Sequence, residues 1–96
     1  MPGATRLNDL STGHDRCPPV PLITGSENVF INRFSAGRQT DMYRIHGCDV
    51  HAPHNDVIAV GGSTVFINGI PAGRIGDAVC LAGNVDEGSS NVFIGG

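Results

Sequence analysis

Val65-Phe66-Ile67-Asn68-Gly69-Ile70-Pro71-Ala72-Gly73-Arg74-Ile75-Gly76-Asp77 decides the fold. Its first three residues have the β-branched and aromatic content of a strand. Asn68-Gly69 follows, the strongest short hairpin signal, because both central positions of a type I′ turn need positive φ. The stretch has a copy upstream. Val29-Phe-Ile-Asn-Arg-Phe-Ser-Ala-Gly-Arg-Gln-Thr-Asp41 matches it at eight of 13 positions, with an offset of 36 residues. There the turn pair is Asn32-Arg33. Without the glycine it predicts a looser or different turn.

A third copy begins at Gly88. Gly-Ser-Ser-Asn-Val-Phe-Ile94 matches Gly25-Ser-Glu-Asn-Val-Phe-Ile31 at six of seven positions. Arg-x-x-Asp closes the copies as Arg38…Asp41 and Arg74…Asp77, and it also occurs as Arg6…Asp9. The chain therefore starts with a repeat end and finishes with a repeat start. Its repeat pieces are 4–14, 25–54, 61–80 and 88–96. The first and last must meet in space to complete one unit, which predicts pseudo-threefold symmetry rather than an open solenoid. Gly25-Ser26, Gly62-Ser63 and Gly88-Ser89 punctuate the chain ahead of each strand. No window has helical periodicity, so at most a helical turn is expected. Arg-x-x-Asp reads as a structural ion pair or turn clamp.

The 96 residues make one small domain, 1–96. Hydrophobic residues at 40 % argue against disorder. Yet Gly is 14, Pro is 6, Trp is absent and aromatics are 5 %, so a thick core is not available. Such a domain needs a staple: a metal, disulfides or a partner surface. All six positive charges are Arg, Lys is absent and the net charge is −3, which lacks the electrostatic footprint of a nucleic-acid binder. There is no apolar run long enough for a transmembrane helix. The N-terminus has no apolar core of a signal peptide.

Three cysteines are a poor disulfide framework; beside four His they favour a metal. Each Arg-x-x-Asp is followed by a possible zinc ligand: His14, His46 and Cys80. Counted toward the next strand, Cys80 and His54 each lie eight residues before a repeat glycine, and His14 eleven before Gly25. On this count His14, His54 and Cys80 are symmetry-equivalent. The longer middle loop supplies a fourth ligand, His46, with His51 as the alternative. Three His and one Cys would make a closed tetrahedral site, which is structural, whereas catalytic zinc keeps a position for water. Cys17 and Cys48 read as buried apolar residues. A small zinc-dependent hydrolase is the alternative reading, although nothing marks a nucleophile elbow.

Pro71-Ala72-Gly73-Arg74 and, more distantly, Ser35-Ala36-Gly37-Arg38 carry a family resemblance, together with Val-Phe-Ile-Asn-Gly and Arg-x-Gly-Asp. The sequence resembles the PAAR-repeat family, the tip proteins of contractile injection machines, from about Ala4 to Gly96. It departs from the motif in Gly for the second Ala, Ser35 for Pro and Arg33 for Gly. The resemblance implies a mainly β, cone-shaped domain of three pseudo-symmetric β-hairpin repeats with little or no helix. It implies a structural Zn²⁺ near the apex, held by His14, His46, His54 and Cys80. It further implies docking, one copy per trimer, on the blunt end of a trimeric β-helical spike. That spike is a phage central spike or a valine-glycine-repeat protein. The tip would pierce the target cell envelope. It would be a virion component at the baseplate or be exported from a bacterial cytoplasm by type VI secretion. With no fused effector domain expected within these residues, no enzymatic activity is expected either. Apolar burial on the spike would use Val29, Val65 and Val92, or Ile31, Ile67 and Ile94.

Overall fold

The computed structural model describes residues 1–13, 17–48, 51–54, 56–80 and 83–96, with backbone alone over 46–48 and 51–54. The fold is mainly β, and no helix occurs among the described residues. Strands β1 (Phe30–Ile31) and β2 (Phe34–Ser35) form one antiparallel hairpin. Strands β3 (His46–Cys48) and β4 (His51–His54) form a second, within what reads from sequence as a loop. Strands β5 (Phe66–Ile67) and β6 (Ile70–Pro71) form a third.

The β1–β2 turn corrects the expectation of a different geometry. Asn32 and Arg33 have φ of 53° and 75°, and Asn68 and Gly69 have 56° and 75°. Both are type I′ turns. Arg33 is held in the left-handed region because the asparagine beside it is tied from outside. Asn32 Oδ1 accepts from Arg6 Nη1 at 2.9 Å, and Asn32 Nδ2 donates to Asn91 Oδ1 at 2.9 Å.

The third copy is completed by the other end of the chain. Phe93 pairs with Gly3. The Ala4 N–H donates to Val92 O and the Ile94 N–H to Pro2 O, both at 2.9 Å. This unit is thus a pairing of two chain ends, where β1–β2 and β5–β6 are hairpins.

Backbone hydrogen bonds close a ring between the units. Thr5 N–H donates to Gly73 O (3.1 Å), Gly73 N–H to Gly37 O (2.9 Å), and Gly37 N–H to Thr5 O (2.9 Å). Each group serves the next unit, and the third returns to the first. Strand pairing repeats the cycle: Arg6 with Ala36, Arg38 with Ala72, and Arg74 with Ala4. A pseudo-threefold axis passes through this ring.

Two small cores lie along the axis. One is built from Ala4, Ala36 and Ala72 with Ile31, Ile67 and Ile94. Small and large residues at equivalent positions alternate, which lets three hairpins approach closely. The other holds Leu22, Ile58 and Val85 with Tyr43, Val79 and Val20. Again the pairing cycles: Leu22 with Tyr43, Ile58 with Val79, Val85 with Ser11. The chain measures 37 × 23 × 22 Å, elongated as stacked rings require.

The structure also shifts one register by a residue. Ser26 and Ser89 donate their N–H groups to Ala36 O and Ala4 O, and in the middle copy the matching donor to Ala72 O is Gly62, not Ser63. The side chains of Ser26 and Ser89 accept from Val29 N–H and Val92 N–H, both at 2.9 Å. Gly62 has no side chain for this role.

Candidate functional site

Three clamps stand between the hairpin end and the loop end. In each, an aspartate accepts from the backbone and the guanidinium of the arginine three residues before it. The shortest charge contacts are 2.9 Å for Arg6–Asp9, 3.0 Å for Arg38–Asp41 and 2.8 Å for Arg74–Asp77. The carboxylates are buried, and hydrogen bonding to them holds each guanidinium above its ordinary pKa. Each arginine also reaches the neighbouring unit. Arg6 donates to Asn32 Oδ1, Arg38 to Asn68 Oδ1 at 3.1 Å, and Arg74 to Gly95 O at 3.2 Å. The turn-clamp reading of Arg-x-x-Asp is therefore too local: each motif joins its own loop to the next unit.

Beyond the clamps, three segments leave the second core and return. They are closed by Ser11 N–H to Val20 O (3.0 Å), Tyr43 N–H to Asp56 O (2.8 Å) and Val79 N–H to Gly83 O (3.1 Å). All candidate metal ligands lie on these segments. His46 stands directly opposite His54 in the β3–β4 register, and Cys48 opposite His51. Cys80 is free and exposed, and its N–H donates to Val57 O at 2.8 Å, three residues past His54. His14 lies outside the described residues, as do the side chains of His46, His51, His54 and Cys48. Its neighbour Gly13 abuts Gly83: a Cβ there would sit 2.6 Å from Gly13 O. The donor types, imidazole and thiolate, suit zinc. Among the described residues no group of three or more ligand-type side chains is assembled.

The backbone corrects one expectation here. Cys80 follows Val79, so its equivalents are Thr12 and Arg44, which follow Ser11 and Tyr43. His54 instead lies on a returning strand, two residues before Asp56. The two candidates are not symmetry-equivalent; unequal segment lengths carry them to the same end. Cys17 is buried, as expected, and is disulfide-bonded besides.

Tyr43 fills the second core with no exposed surface. Burial raises its phenol pKa well above 10.0, and the carboxylates of Asp9, Asp77 and Asp56 add to that.

The hairpin end carries a feature that sequence reading missed. Phe30, Phe66 and Phe93 occupy equivalent positions and are 58, 56 and 49 % exposed. Their neighbours Ile31, Ile67 and Ile94 point into the core. The isoleucine set is thus used internally. The signal was present in the strict Val-Phe-Ile repeat, because alternation along a strand must send Phe and Ile to opposite faces.

Residues 12–81 match the PAAR motif. The chain belongs to the PAAR motif family. Similar proteins include an NAD(P)(+) glycohydrolase toxin and a (p)ppApp synthetase toxin, both of Pseudomonas aeruginosa. Each is 37 % identical over 87 residues. A double-stranded DNA deaminase toxin of Burkholderia cenocepacia is 35 % identical over 77 residues. In each case 78 % of this chain is covered, but only 19, 18 and 5 % of the relative. The chain thus spans at most about a fifth of the length of these toxins. In the PAAR motif the second Ala is replaced by Gly37 and Gly73, and the axis explains why. Cβ atoms at Gly37 and Gly73 would lie 2.8 and 3.0 Å from the Thr5 methyl. The equivalent position of the N-terminal unit, Thr5, already fills the space.

Proposed function

We propose that this PAAR domain is a piercing tip that caps the blunt end of a trimeric β-helical spike, one copy per trimer. The observation that carries this reading is the exposed Phe30, Phe66 and Phe93 set around a pseudo-threefold axis. A single chain with threefold internal repetition can meet three identical protomers without mismatch. Three exposed phenylalanines are expensive to leave in water and suit anchor positions at an interface. Strand ends of the spike would be covered at the same time, which removes open edges. The toxin relatives favour export from the bacterial cytoplasm by type VI secretion, with a valine-glycine-repeat spike, over a phage baseplate. The domain itself has a structural rather than enzymatic role.

Zinc belongs to the same reading. His14, His46, His54 and Cys80 would hold it, with His51 as the alternative to His46. The in-register His46 and His54 and the free Cys80 support that set. When bound, the ion supplies a cross-link among segments that the small cores hold weakly. The other end of the molecule, by contrast, needs no metal for docking.

The test is co-purification with a trimeric spike. Wild type is expected at one copy per trimer, and Phe66→Glu is expected to lose binding while keeping its melting temperature. Three copies per trimer, or full binding by Phe30→Glu, Phe66→Glu and Phe93→Glu alike, would overturn the reading.

A further inference from the structure

The chain departs from its own repeat at one exposed position of the hairpin end. Asn32-Arg33 and Asn68-Gly69 are equivalent type I′ turns, and Arg33 takes the same φ of 75° as Gly69. A side chain in that region costs roughly 1 kcal/mol that glycine avoids. Nothing inside the chain offsets it. Arg6, Arg38 and Arg74 are each held by an aspartate. The side chain of Arg33 is exposed and makes no ion pair, hydrogen bond or ring contact among the described residues.

Its surroundings are those of an interface. Phe30 and Phe34 of the same hairpin are 58 and 44 % exposed. The Arg6 guanidinium lies 5.7 Å over the Phe34 ring. Glu27 is an exposed charge at the same end, but it is already answered. It lines a cleft with Gly25, Asn28, Arg38 and Asn68. There it adds to the larger effect of Asp41 in holding Arg38 above its ordinary pKa. Arg33 is left without a counter-charge among the described residues. Strained residues persist where their side chains serve something beyond the local backbone.

We propose that Arg33 selects the partner at the docking face, by pairing with an aspartate or glutamate side chain near the blunt end of one spike protomer. This rests on the docking reading above. A guanidinium grips a carboxylate through two parallel, charge-assisted N–H donors, which are stronger than donors to a neutral carbonyl. Beside three exposed phenylalanines, such a pair sets partner choice and register. The pseudo-threefold axis adds a constraint. A trimer presents the same carboxylate three times, and Arg33 answers one copy. Position 69, equivalent to 33, faces the copy on the next protomer. It has room for a side chain, since a Cβ at Gly69 meets nothing within 4 Å. An arginine moved from 33 to 69 should therefore dock as well as the original.

The test titrates a purified valine-glycine-repeat spike trimer with wild type and variants, reading affinity by calorimetry and folding by melting temperature. Arg33→Gly should bind about tenfold more weakly. It should melt no lower than wild type, a combination that a merely structural role would not give. Adding Gly69→Arg to Arg33→Gly should return the affinity to that of wild type. Arg33→Glu should bind more weakly still, and one acidic-to-lysine substitution at the blunt end of the spike should restore it. Salt at about 1 M should narrow the gap between wild type and Arg33→Gly. Equal affinity of wild type and Arg33→Gly, or a double variant no better than Arg33→Gly, would overturn the proposal and leave the docking reading standing. Failure of wild type itself to bind the spike would remove both.

Discussion

The Thr5 methyl occupies the pseudo-threefold axis 2.8 Å from where Gly37 would carry a Cβ. One side chain therefore fills a site that three equivalent residues share. Gly37→Ala should destabilise by about 2 kcal/mol, as overpacking of a tight core does. Thr5→Gly should recover part of that loss in the double variant, with the Leu22 clash left behind, since Leu22 Cδ2 also lies 2.8 Å away. Chemical denaturation of the four proteins checks this. Strict additivity would show that the axis contact carries no energy.

Arg33 offers a gain. Its φ of 75° costs a residue with a Cβ roughly 1 kcal/mol that glycine avoids. Arg33→Gly should raise stability by about 0.5–1 kcal/mol, and Gly69→Arg should lower it by a similar amount. A denaturant midpoint that falls for Arg33→Gly would refute the strain argument.

The clamps should be costly to break. Asp41 accepts from Arg38 N, Nε and Nη2 and from Thr24 Oγ1, at 2.7 to 3.1 Å. An amide can offer only one accepting oxygen and adds donors of its own. Asp41→Asn should therefore lose about 2 kcal/mol and lower the melting temperature by roughly 10 °C. A loss below the level of a surface ion pair, about 0.5 kcal/mol, would assign the clamps to solubility instead.

Tyr43 predicts an alkaline limit. Its phenol is neutral in the fold, with a pKa raised mainly by burial. The unfolded phenol ionises near about 10. Above that pH the unfolded chain releases a proton that the folded chain keeps. Stability from this group is thus complete below about pH 10 and falls as pH rises toward the folded pKa. Tyr43 is the only tyrosine, so tyrosinate absorbance reports it alone. The absorbance should rise together with unfolding. A rise near pH 10 in a still-folded protein would contradict the burial account.

Metal removal should separate the two ends. Chelation, or Cys80→Ala, should lower the melting temperature by 10 °C or more, on the order of what structural zinc contributes in small domains. Zinc content should fall below one ion per chain for Cys80→Ala. Unchanged zinc content and melting would remove Cys80 from the ligand set.

Much of the architecture was legible because the repeat is written into the chain. The Val-Phe-Ile starts, the Asn-x turns and the Arg-x-x-Asp ends repeat at fixed positions, and a strand's period of two sends Phe and Ile to opposite faces. Less was legible where equivalence fails. The Asn32-Arg33 turn reads as irregular, yet Arg6 and Asn91 hold Asn32 in place from other units. Gly62-Ser63 reads like its two counterparts, yet the hydrogen bond to Ala72 selects Gly62. The candidate ligands could be found by residue type, but counting along unequal segments paired Cys80 with His54 wrongly.

The sequence by itself determined the β content, the threefold repetition and the need for chain ends to meet, because local propensity and periodicity act over a few residues. Only the tertiary structure decided which unit donates to which, why Thr5 forces glycine at its two partners, and that the phenylalanines rather than the isoleucines face outward. Those outcomes depend on contacts between residues 30 to 90 positions apart. Such contacts form only when the ring closes.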